Sequence, residues 1–285
     1  MGKCEKWTIA YRVRRGENTL IDDTTAPFTK IPNSWRYWAA DPFLVETEGK
    51  TWLFAELYDR LQRKGVLGCR DLNDPKWTII LDEPFHLSYP FVFKQNGTFY
   101  MIPESFRAGK IRLYKAVSFP YSWEPVCDLA EMAAVDSTVI QTSAGQFLLT
   151  VRVVNAVGTL TLMKVEENWN LSEPICVAQP EDANVRPAGK AFRKDGTLIR
   201  PTQDCSAGYG YALNFARITK MDGNSFEEQR FMKIRPEDVR IDHVRTPEGI
   251  HTYNFSEHYE VIDYKEYEFG FVSKVGGLMK RLKGK

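Results

Sequence analysis

Residues 89–102 read Tyr89-Pro-Phe-Val-Phe-Lys-Gln-Asn96-Gly97-Thr-Phe-Tyr-Met-Ile102. Two runs rich in aromatic and β-branched residues flank the dipeptide Asn96-Gly97. Such runs favour β-strands, and Asn-Gly readily adopts the two positive φ angles that a type I′ turn needs. The stretch therefore predicts a β-hairpin.

The hairpin pattern recurs along the chain. Three more copies begin at residues 41, 136 and 186, so successive copies start 48, 47 and 50 residues apart. Each copy is followed by a third apolar strand and by a fourth element that starts near an aromatic residue, namely Trp77, Trp123, Trp169 and Phe226. A repeat of this length with four strands is typical of a β-propeller blade.

A fifth, looser copy covers residues 241–264 and has no clear fourth strand. Residues 7–13 have the composition of a strand but no partner nearby in the sequence. If this strand joins the last blade, the ring closes without an open sheet edge. We therefore expect an all-β fold, a single five-bladed β-propeller over residues 1–268 with four antiparallel strands per blade. Residues 269–285 are expected to form a basic C-terminal tail.

Composition limits the classes of partner and location. The 285 residues include 38 basic and 37 acidic side chains, so no overall positive field attracts nucleic acid, and we expect no nucleic-acid partner. The chain has no apolar run as long as a membrane-spanning helix, and none follows the basic residues at its start. We expect a cytoplasmic protein, with the basic tail as a candidate for peripheral contact with an anionic membrane.

Candidate site residues follow from the repeat, because the first strand of each blade lines the central channel and these strands start at one mouth. Residues at the starts of the first strands are Trp38, Asp41, Tyr89, Asp136, Arg186, Asp242 and His243. The ends of the second strands add Glu56, Glu104, Arg152, Arg200, Gln203 and His251. Aromatic, carboxylate and guanidinium groups together suit sugar recognition, and two carboxyl groups are what cleavage of a glycosidic bond needs. Asp at a strand start is also a common turn former.

The segment Trp38-Ala39-Ala40-Asp41-Pro42 resembles the Trp-x-x-Asp-Pro segment of the five-bladed propellers in glycoside hydrolase families 32, 43, 62 and 68. The resemblance implies that Asp41 is the base or nucleophile. It also implies that Asp136 orients the catalytic acid and adjusts its pKa.

One departure from family 43 concerns the acid itself. That family has a Glu at the start of the fourth blade, where this sequence has Arg186. A guanidinium does not donate its proton at neutral pH, but it binds phosphate or carboxylate well. Either the acid has moved, with Glu104 as first candidate and Glu56 as second, or the family 43 reaction is absent.

Longer stretches carry a second resemblance. They are Tyr89-Pro-Phe-Val-Phe93, Met101-Ile-Pro-Glu-Ser105, Arg186-Pro-Ala-Gly189, Arg200-Pro-Thr-Gln-Asp204 and Gly249-Ile-His-Thr-Tyr-Asn254. These resemble the N-terminal propeller of plant glucosamine inositolphosphorylceramide transferases and its stand-alone bacterial relatives. The resemblance implies the propeller fold and does not by itself assign a reaction.

Two functional hypotheses follow. The first is an enzyme that hydrolyses or transfers a glycosyl group in glycan or glycoconjugate biosynthesis, acting on a carbohydrate or glycosyl phosphate. Asp41 and Glu104 would then be the catalytic pair, and Arg186, Arg200 and His251 would bind a charged or phosphorylated group. The second is a non-catalytic sugar-binding module that partners a glycosyltransferase, which the missing family acid favours.

The sequence contains no dense metal-ligand motif. Its five cysteines are scattered and lack the paired spacing of a zinc site. The resemblance to glycoside hydrolases implies a lone calcium or water site in the channel near His251, and we expect no other cofactor. His86 and His258 lie beside turn residues and are expected to be surface side chains.

Overall fold

The computed structural model describes residues 3–176, 184–222 and 224–269. Within these ranges the chain forms β-strands and three single-turn 3₁₀ helices, Phe106–Ala108, Glu167–Trp169 and Pro236–Asp238. None of the helices in these ranges has the length and apolarity that a membrane crossing requires. Residues 270–285, which make up nearly all of the predicted basic tail, lie outside the described residues.

The strands form five four-stranded antiparallel sheets. The first two strands are β1 (Lys3–Val13) and β2 (Thr29–Lys30). Blade one contains β3 (Tyr37–Thr47), β4 (Lys50–Asp59), β5 (Lys64–Asp71) and β6 (Thr78–Leu81). Blade two contains β7 (Ser88–Gln95), β8 (Thr98–Glu104), β9 (Ile111–Ser118) and β10 (Ser122–Ala130). Blade three contains β11 (Ala134–Thr142), β12 (Gly145–Val154), β13 (Val157–Val165) and β14 (Ile175–Cys176). Blade four contains β15 (Phe192–Lys194), β16 (Thr197–Asp204), β17 (Ala212–Met221) and β18 (Phe226–Ile234), and blade five begins with β19 (Gly249–Phe255) and β20 (Tyr259–Phe269). The predicted five-bladed all-β propeller is confirmed.

The N-terminal segment closes the ring, as the sequence predicts. β1 pairs with β20 from Lys3 opposite Phe269 to Val13 opposite Tyr259, and β2 adds to the outer side of β1. Blade five thus takes two strands from each end of the described chain. Closure satisfies the backbone groups that an open edge would expose.

Blade five starts later than the sequence predicts. Its inner strand is β19, whereas Ile241 forms isolated bridges with Phe28 and Val244 at the outer side. In the predicted fifth copy, which starts at residue 241, Gly249 stands where the other copies have their turn glycine. In the structure this residue is instead the first of β19. A Cβ there would lie 2.2 Å from the carbonyl oxygen of Gly210, so close packing requires the glycine.

The inner strands of blades one, two, three and five all start at one end of the channel, which we call the mouth face. These strands are β3, β7, β11 and β19. The hairpin turns that follow these strands lie at the opposite face. Aromatic side chains pack between the blades, as when Phe43 of blade one meets the rings of Tyr89 and Phe91 edge-on at 4.9 and 5.9 Å. This packing fixes the inner strands relative to one another and therefore fixes the residues at their mouth ends.

Candidate active site

A β-bulge turns Asp41 into the channel at the mouth face. In β3, Asp41 and Pro42 lie between the pairs Ala40–Glu56 and Phe43–Phe54, so two residues face one on β4. Asp41 has a φ of 51°, a conformation that non-glycine residues adopt only where the surroundings require it. A bulge re-aims the side chain of its first residue.

The same bulge recurs in three other blades. Its first residue is Tyr89 in blade two, Asp136 in blade three and His251 in blade five. Tyr89 and Asp136 also have positive φ angles, 43° and 54°. The bulges therefore place the equivalent residues of four blades around one mouth.

Asp41 is 4% exposed, and its carboxylate accepts hydrogen bonds from blades two and five. Its Oδ2 accepts the backbone N–H of Tyr89 (3.1 Å) and its Oδ1 accepts the hydroxyl of Thr252 (2.9 Å). Burial raises the pKa of Asp41 to about 6, an effect that His251 opposes and that Asp136 and Asp263 reinforce. Asp41 therefore titrates close to neutral pH.

Glu104, at the end of β8, is the second carboxyl group of the mouth. Burial and the negative charge of Asp136 raise its pKa well above the ordinary value, although Arg186 opposes this shift. The guanidinium Nη2 of Arg186 lies 3.3 Å from Glu104 Oε2. The raised pKa favours the protonated form of Glu104, and its side chain, 11% exposed, can donate a proton at the mouth.

Arg186 lies between Glu104 and Asp136. Its Nε donates to Asp136 Oδ2, which also accepts the side-chain amide of Gln203 at 3.1 Å. The guanidinium carbon lies 5.2 Å from the ring centroid of Tyr209. Asp136 is almost fully buried while Arg186 is 27% exposed, so the arginine covers the carboxylate and presents its outer edge to solvent.

His251 forms a buried pair with Asp263, which is not among the predicted site residues. His251 Nδ1 lies 2.7 Å from Asp263 Oδ1, and its ring stacks on Trp7 with centroids 3.9 Å apart. Burial opposes the charged imidazole, but the carboxylates of Asp263 and Asp41 together outweigh this and raise the pKa of His251. Asp263 could be found in the sequence as the one acidic residue in the apolar run Val261-Ile262-Asp263-Tyr264.

Asp41, His251 and Asp263 could together hold a metal ion, because one ligand atom from each lies within 4.8 Å of the others. The carboxylate oxygens already accept hydrogen bonds from the protein. Asp263 Oδ1 accepts the backbone N–H groups of His251 (3.2 Å) and Thr252 (2.9 Å) besides contacting the imidazole. These bonds keep the three side chains together whether or not an ion binds.

Glu56 and His86 form a further polar pair beside an aromatic wall. His86 Nδ1 accepts the N–H of Gly65 (2.8 Å), so the ring proton is on Nε2, 3.5 Å from Glu56 Oε1. Burial lowers the pKa of His86 to about 4 and raises that of Glu56. Trp38 stacks on Tyr58 at 4.6 Å, whose ring lies 6.5 Å from His86. The expectation of a plain surface histidine at position 86 is wrong.

Tyr89 crosses the channel below the mouth. Its hydroxyl lies 2.9 Å from Thr138 Oγ1 of blade three and accepts the N–H of Gly189, also at 2.9 Å. The residue is fully buried. The phenol therefore joins three blades and does not reach the solvent-facing side of the mouth.

Four predicted site residues do not join the mouth. Arg200 is buried inside blade four, where it forms a bidentate ion pair with Glu228 (2.5 and 2.7 Å). Side chains alternate between the two faces of a strand, so Arg200, three residues before Gln203, points to the opposite face. Arg152 is exposed, since Val151 and not Arg152 pairs with the residue preceding Asp136. Asp242 and His243 are exposed, away from β19.

Solved structures of similar fold include two arabinofuranosidases. The catalytic domain of an alpha-L-arabinofuranosidase from Coprinopsis cinerea superposes with a TM-score of 0.62 at 15% identity, covering 87% of this chain and 83% of that chain. An alpha-L-arabinofuranosidase from Podospora anserina gives 0.59 at 14% identity, covering 79% and 90%. At these identities the likeness shows the propeller fold.

Sequence relatives show the family. Glucosamine inositolphosphorylceramide transferase 1 of Arabidopsis thaliana is 33% identical over 228 residues, which are 74% of this chain and 29% of the relative. The protein of the same name from Oryza sativa subsp. japonica is 30% identical, covering 80% and 31%. The chain thus spans less than a third of the length of these relatives. Residues 24–242 match the family model described as "Glucosamine inositolphosphorylceramide transferase 1, N-terminal", and the chain belongs to this family.

Proposed function

We propose that the chain is a carbohydrate-active enzyme that hydrolyses or transfers a glycosyl group in glycoconjugate biosynthesis, and that the reaction takes place at the propeller mouth. The observation that carries the proposal is the pair Asp41 and Glu104. Burial raises the pKa of both carboxyl groups, that of Asp41 to about 6 and that of Glu104 well above its ordinary value. Carboxyl groups with displaced pKa values in one concave site are typical of acid/base chemistry.

Each carboxyl group has a role in this reaction. Glu104 gives its proton to the leaving oxygen as the bond between that oxygen and the sugar breaks. Asp41, once ionised, accepts the proton of the water or hydroxyl group that attacks the sugar. Asp136 acts as a positioning residue, because it fixes Arg186 and its charge raises the pKa of Glu104.

The mouth also suits a substrate with an anionic group. Arg186 presents the outer edge of its guanidinium beside Tyr209, and a guanidinium binds phosphate through paired N–H donors. Trp38 and Tyr58 supply apolar ring surface for a sugar. The relatives are named for glucosamine and inositolphosphorylceramide, so an inositol phosphate or glycosyl phosphate is the substrate class we propose.

Turnover of a panel of glycosides and glycosyl phosphates tests the proposal. Asp41→Asn and Glu104→Gln should each lower kcat by about a hundredfold or more. Glu46→Gln is the matched control, because Glu46 pairs with His258 at the opposite face, and it should leave kcat unchanged. Equal turnover by wild type and both mouth variants would overturn the assignment of these two residues.

A non-catalytic sugar-binding module is the second candidate, and Arg186 is the observation that favours it. The arginine stands where family 43 has its acid and engages both Glu104 and Asp136. Under this alternative, a panel compound would raise the Tm of the wild-type protein without being turned over. That result would overturn the assignment as an enzyme in favour of a binding module that partners a glycosyltransferase.

A further inference from the structure

Tyr209 lies at the mouth on the side of blade four. Blades one, two, three and five each turn the first residue of a bulge into the channel, whereas the inner strand of blade four covers only Phe192–Lys194 and has no bulge. The loop from β16 to β17, residues 205–211, lies at the mouth face and carries Tyr209. This residue is 44% exposed, so its side chain is open to a ligand in the mouth.

The ring of Tyr209 lies beside the neighbours of both carboxyl groups of the proposed reaction. Its centroid is 5.2 Å from the guanidinium carbon of Arg186, whose Nη2 is 3.3 Å from Glu104 Oε2. The ring also meets the imidazole of His251 edge-on at 5.3 Å, and His251 Nε2 is 3.6 Å from Asp41 Oδ1. A sugar held between Asp41 and Glu104 therefore lies beside Tyr209.

The backbone around Tyr209 is held in place. Its carbonyl oxygen accepts a hydrogen bond from the ammonium group of Lys265 at 2.6 Å, and Lys265 is 7% exposed. The next residue, Gly210, packs against Trp7 so closely that a Cβ would lie 2.4 Å from the indole ring. The N–H of Tyr211 closes a turn around these residues. The loop thus presents the phenol of Tyr209 at a fixed place in the mouth.

The hydroxyl group of Tyr209 has no hydrogen-bond partner in the part of the chain that the structure describes. The enclosing mouth desolvates the phenol and raises its pKa well above the ordinary value, although Arg186 opposes this shift. The negative charges of Asp41, Asp136 and Glu104 add to the increase in pKa. The phenol therefore keeps its proton at neutral pH and can donate a hydrogen bond to a ligand.

A sugar matches this side chain in two ways. The exposed aromatic ring offers an apolar surface to the C–H groups of a sugar, and the hydroxyl group offers a donor to one of its oxygens. An apolar ligand would leave the hydroxyl and the neighbouring carboxyl groups without partners, which weakens binding.

We propose that Tyr209 is a specificity-determining residue that binds the sugar at the reaction centre. Its ring packs against the sugar held between Asp41 and Glu104, and its hydroxyl donates a hydrogen bond to an oxygen of that sugar. The inference rests on the proposed function, because it concerns the same sugar at the same mouth.

Calorimetric binding of glucosamine 1-phosphate to the Glu104→Gln protein tests this contact without turnover. In this background, Tyr209→Phe keeps the ring and loses only the hydroxyl group, so it should weaken binding about fivefold. Tyr209→Leu loses the ring as well and should weaken binding about fiftyfold. The inference is overturned if both double variants bind as tightly as the Glu104→Gln protein, or if that protein does not bind the compound.

Tyr121→Phe is the matched control for the lost hydroxyl group. Tyr121 is 48% exposed at the opposite face, where its ring meets Trp52 edge-on at 5.5 Å. In the same background this variant should bind the compound without loss of affinity. The Tm of Tyr209→Phe should equal that of its parent, because the ring contacts with Arg186 and His251 remain. Weaker binding together with a lower Tm would assign the hydroxyl group a structural role and overturn the inference.

Turnover by the single variants separates this inference from the proposed function. If the wild type turns over no panel compound and Tyr209→Phe still weakens binding, the assignment as an enzyme fails and the contact stands. If turnover requires Asp41 and Glu104 while Tyr209→Leu keeps the wild-type KM and kcat, the contact fails and the assignment as an enzyme stands.

Discussion

Burial of Asp41 at the mouth lowers the stability of the folded protein at neutral pH. The unfolded chain holds the Asp41 proton with an ordinary pKa near 3.8, whereas burial raises the pKa to about 6 in the folded state. The stability that this group contributes is therefore fully present below the unfolded pKa and is lost as pH rises through about 6. A shift of this size corresponds to about 3 kcal/mol.

Asp41→Asn should therefore stabilise the protein at neutral pH. The amide has nearly the shape of the carboxyl group and tolerates a positive φ, but it has no charge to bury. We expect a free energy of unfolding about 1–3 kcal/mol above wild type near pH 7 and little difference near pH 4. Urea unfolding at the two pH values measures this, and a variant less stable than wild type near pH 7 would show that the ionised carboxylate is stabilised in the fold.

Arg200 should affect stability and not catalysis. Arg200→Ala leaves Glu228 without its partner inside blade four and should lower the free energy of unfolding by about 3 kcal/mol. Turnover per folded molecule should not change, because the pair lies on the far side of the sheet from Gln203. If the variant has normal stability and reduced turnover, Arg200 binds substrate as the sequence predicts.

At the scale of the strands, the repeat predicts much of the site. Aligned copies place Asp41, Tyr89 and Asp136 at equivalent positions, and the bulges confirm that equivalence. Alignment does not show which side of a second strand faces the mouth, since a shift of one residue reverses the face. That is why Glu104 was placed correctly and Arg152 was not.

Blade five shows a second reason for a missed residue. Gly249 resembles a turn glycine, yet it begins a strand because the backbone of Gly210 packs against it. This contact comes from tertiary structure and has no local signal. Because the predicted start of blade five is too early, the predicted site includes Asp242 and His243. It omits Asp263, which pairs with His251.

Trp7 links the closing strand β1 to the mouth, because its buried ring stacks on His251. Trp7→Ala should lower the free energy of unfolding by about 3–5 kcal/mol through the cavity it leaves. Trp35→Ala, an exposed tryptophan on the same face, should change it by less than about 0.5 kcal/mol. Equal effects of the two substitutions in urea unfolding would contradict the role of β1 in holding His251.

At the scale of the whole molecule, ring closure concentrates charge at one mouth. Five carboxyl groups lie close together there, beside the guanidinium of Arg186 and the imidazole of His251. The five acidic residues are Asp41, Glu56, Glu104, Asp136 and Asp263. Burial and the repulsion from neighbouring carboxylates raise the pKa values of Glu56 and Glu104 well above the ordinary range.

The pH dependence of kcat/KM should therefore be bell-shaped. Activity should rise as pH increases through about 6, where Asp41 ionises, and fall at higher pH as Glu104 loses its proton. Glu104→Gln should abolish the fall at high pH in whatever activity remains. A profile that is flat from pH 5 to pH 8 would contradict the assigned roles of the two carboxyl groups.

The most direct test of the mouth as the glycosyl site is a crystal structure of the Glu104→Gln variant soaked with glucosamine 1-phosphate. We expect the sugar between Asp41 and the side chain at position 104, with its phosphate on Arg186. Sugar density outside the mouth, with Arg186 still covering Asp136, would contradict the account.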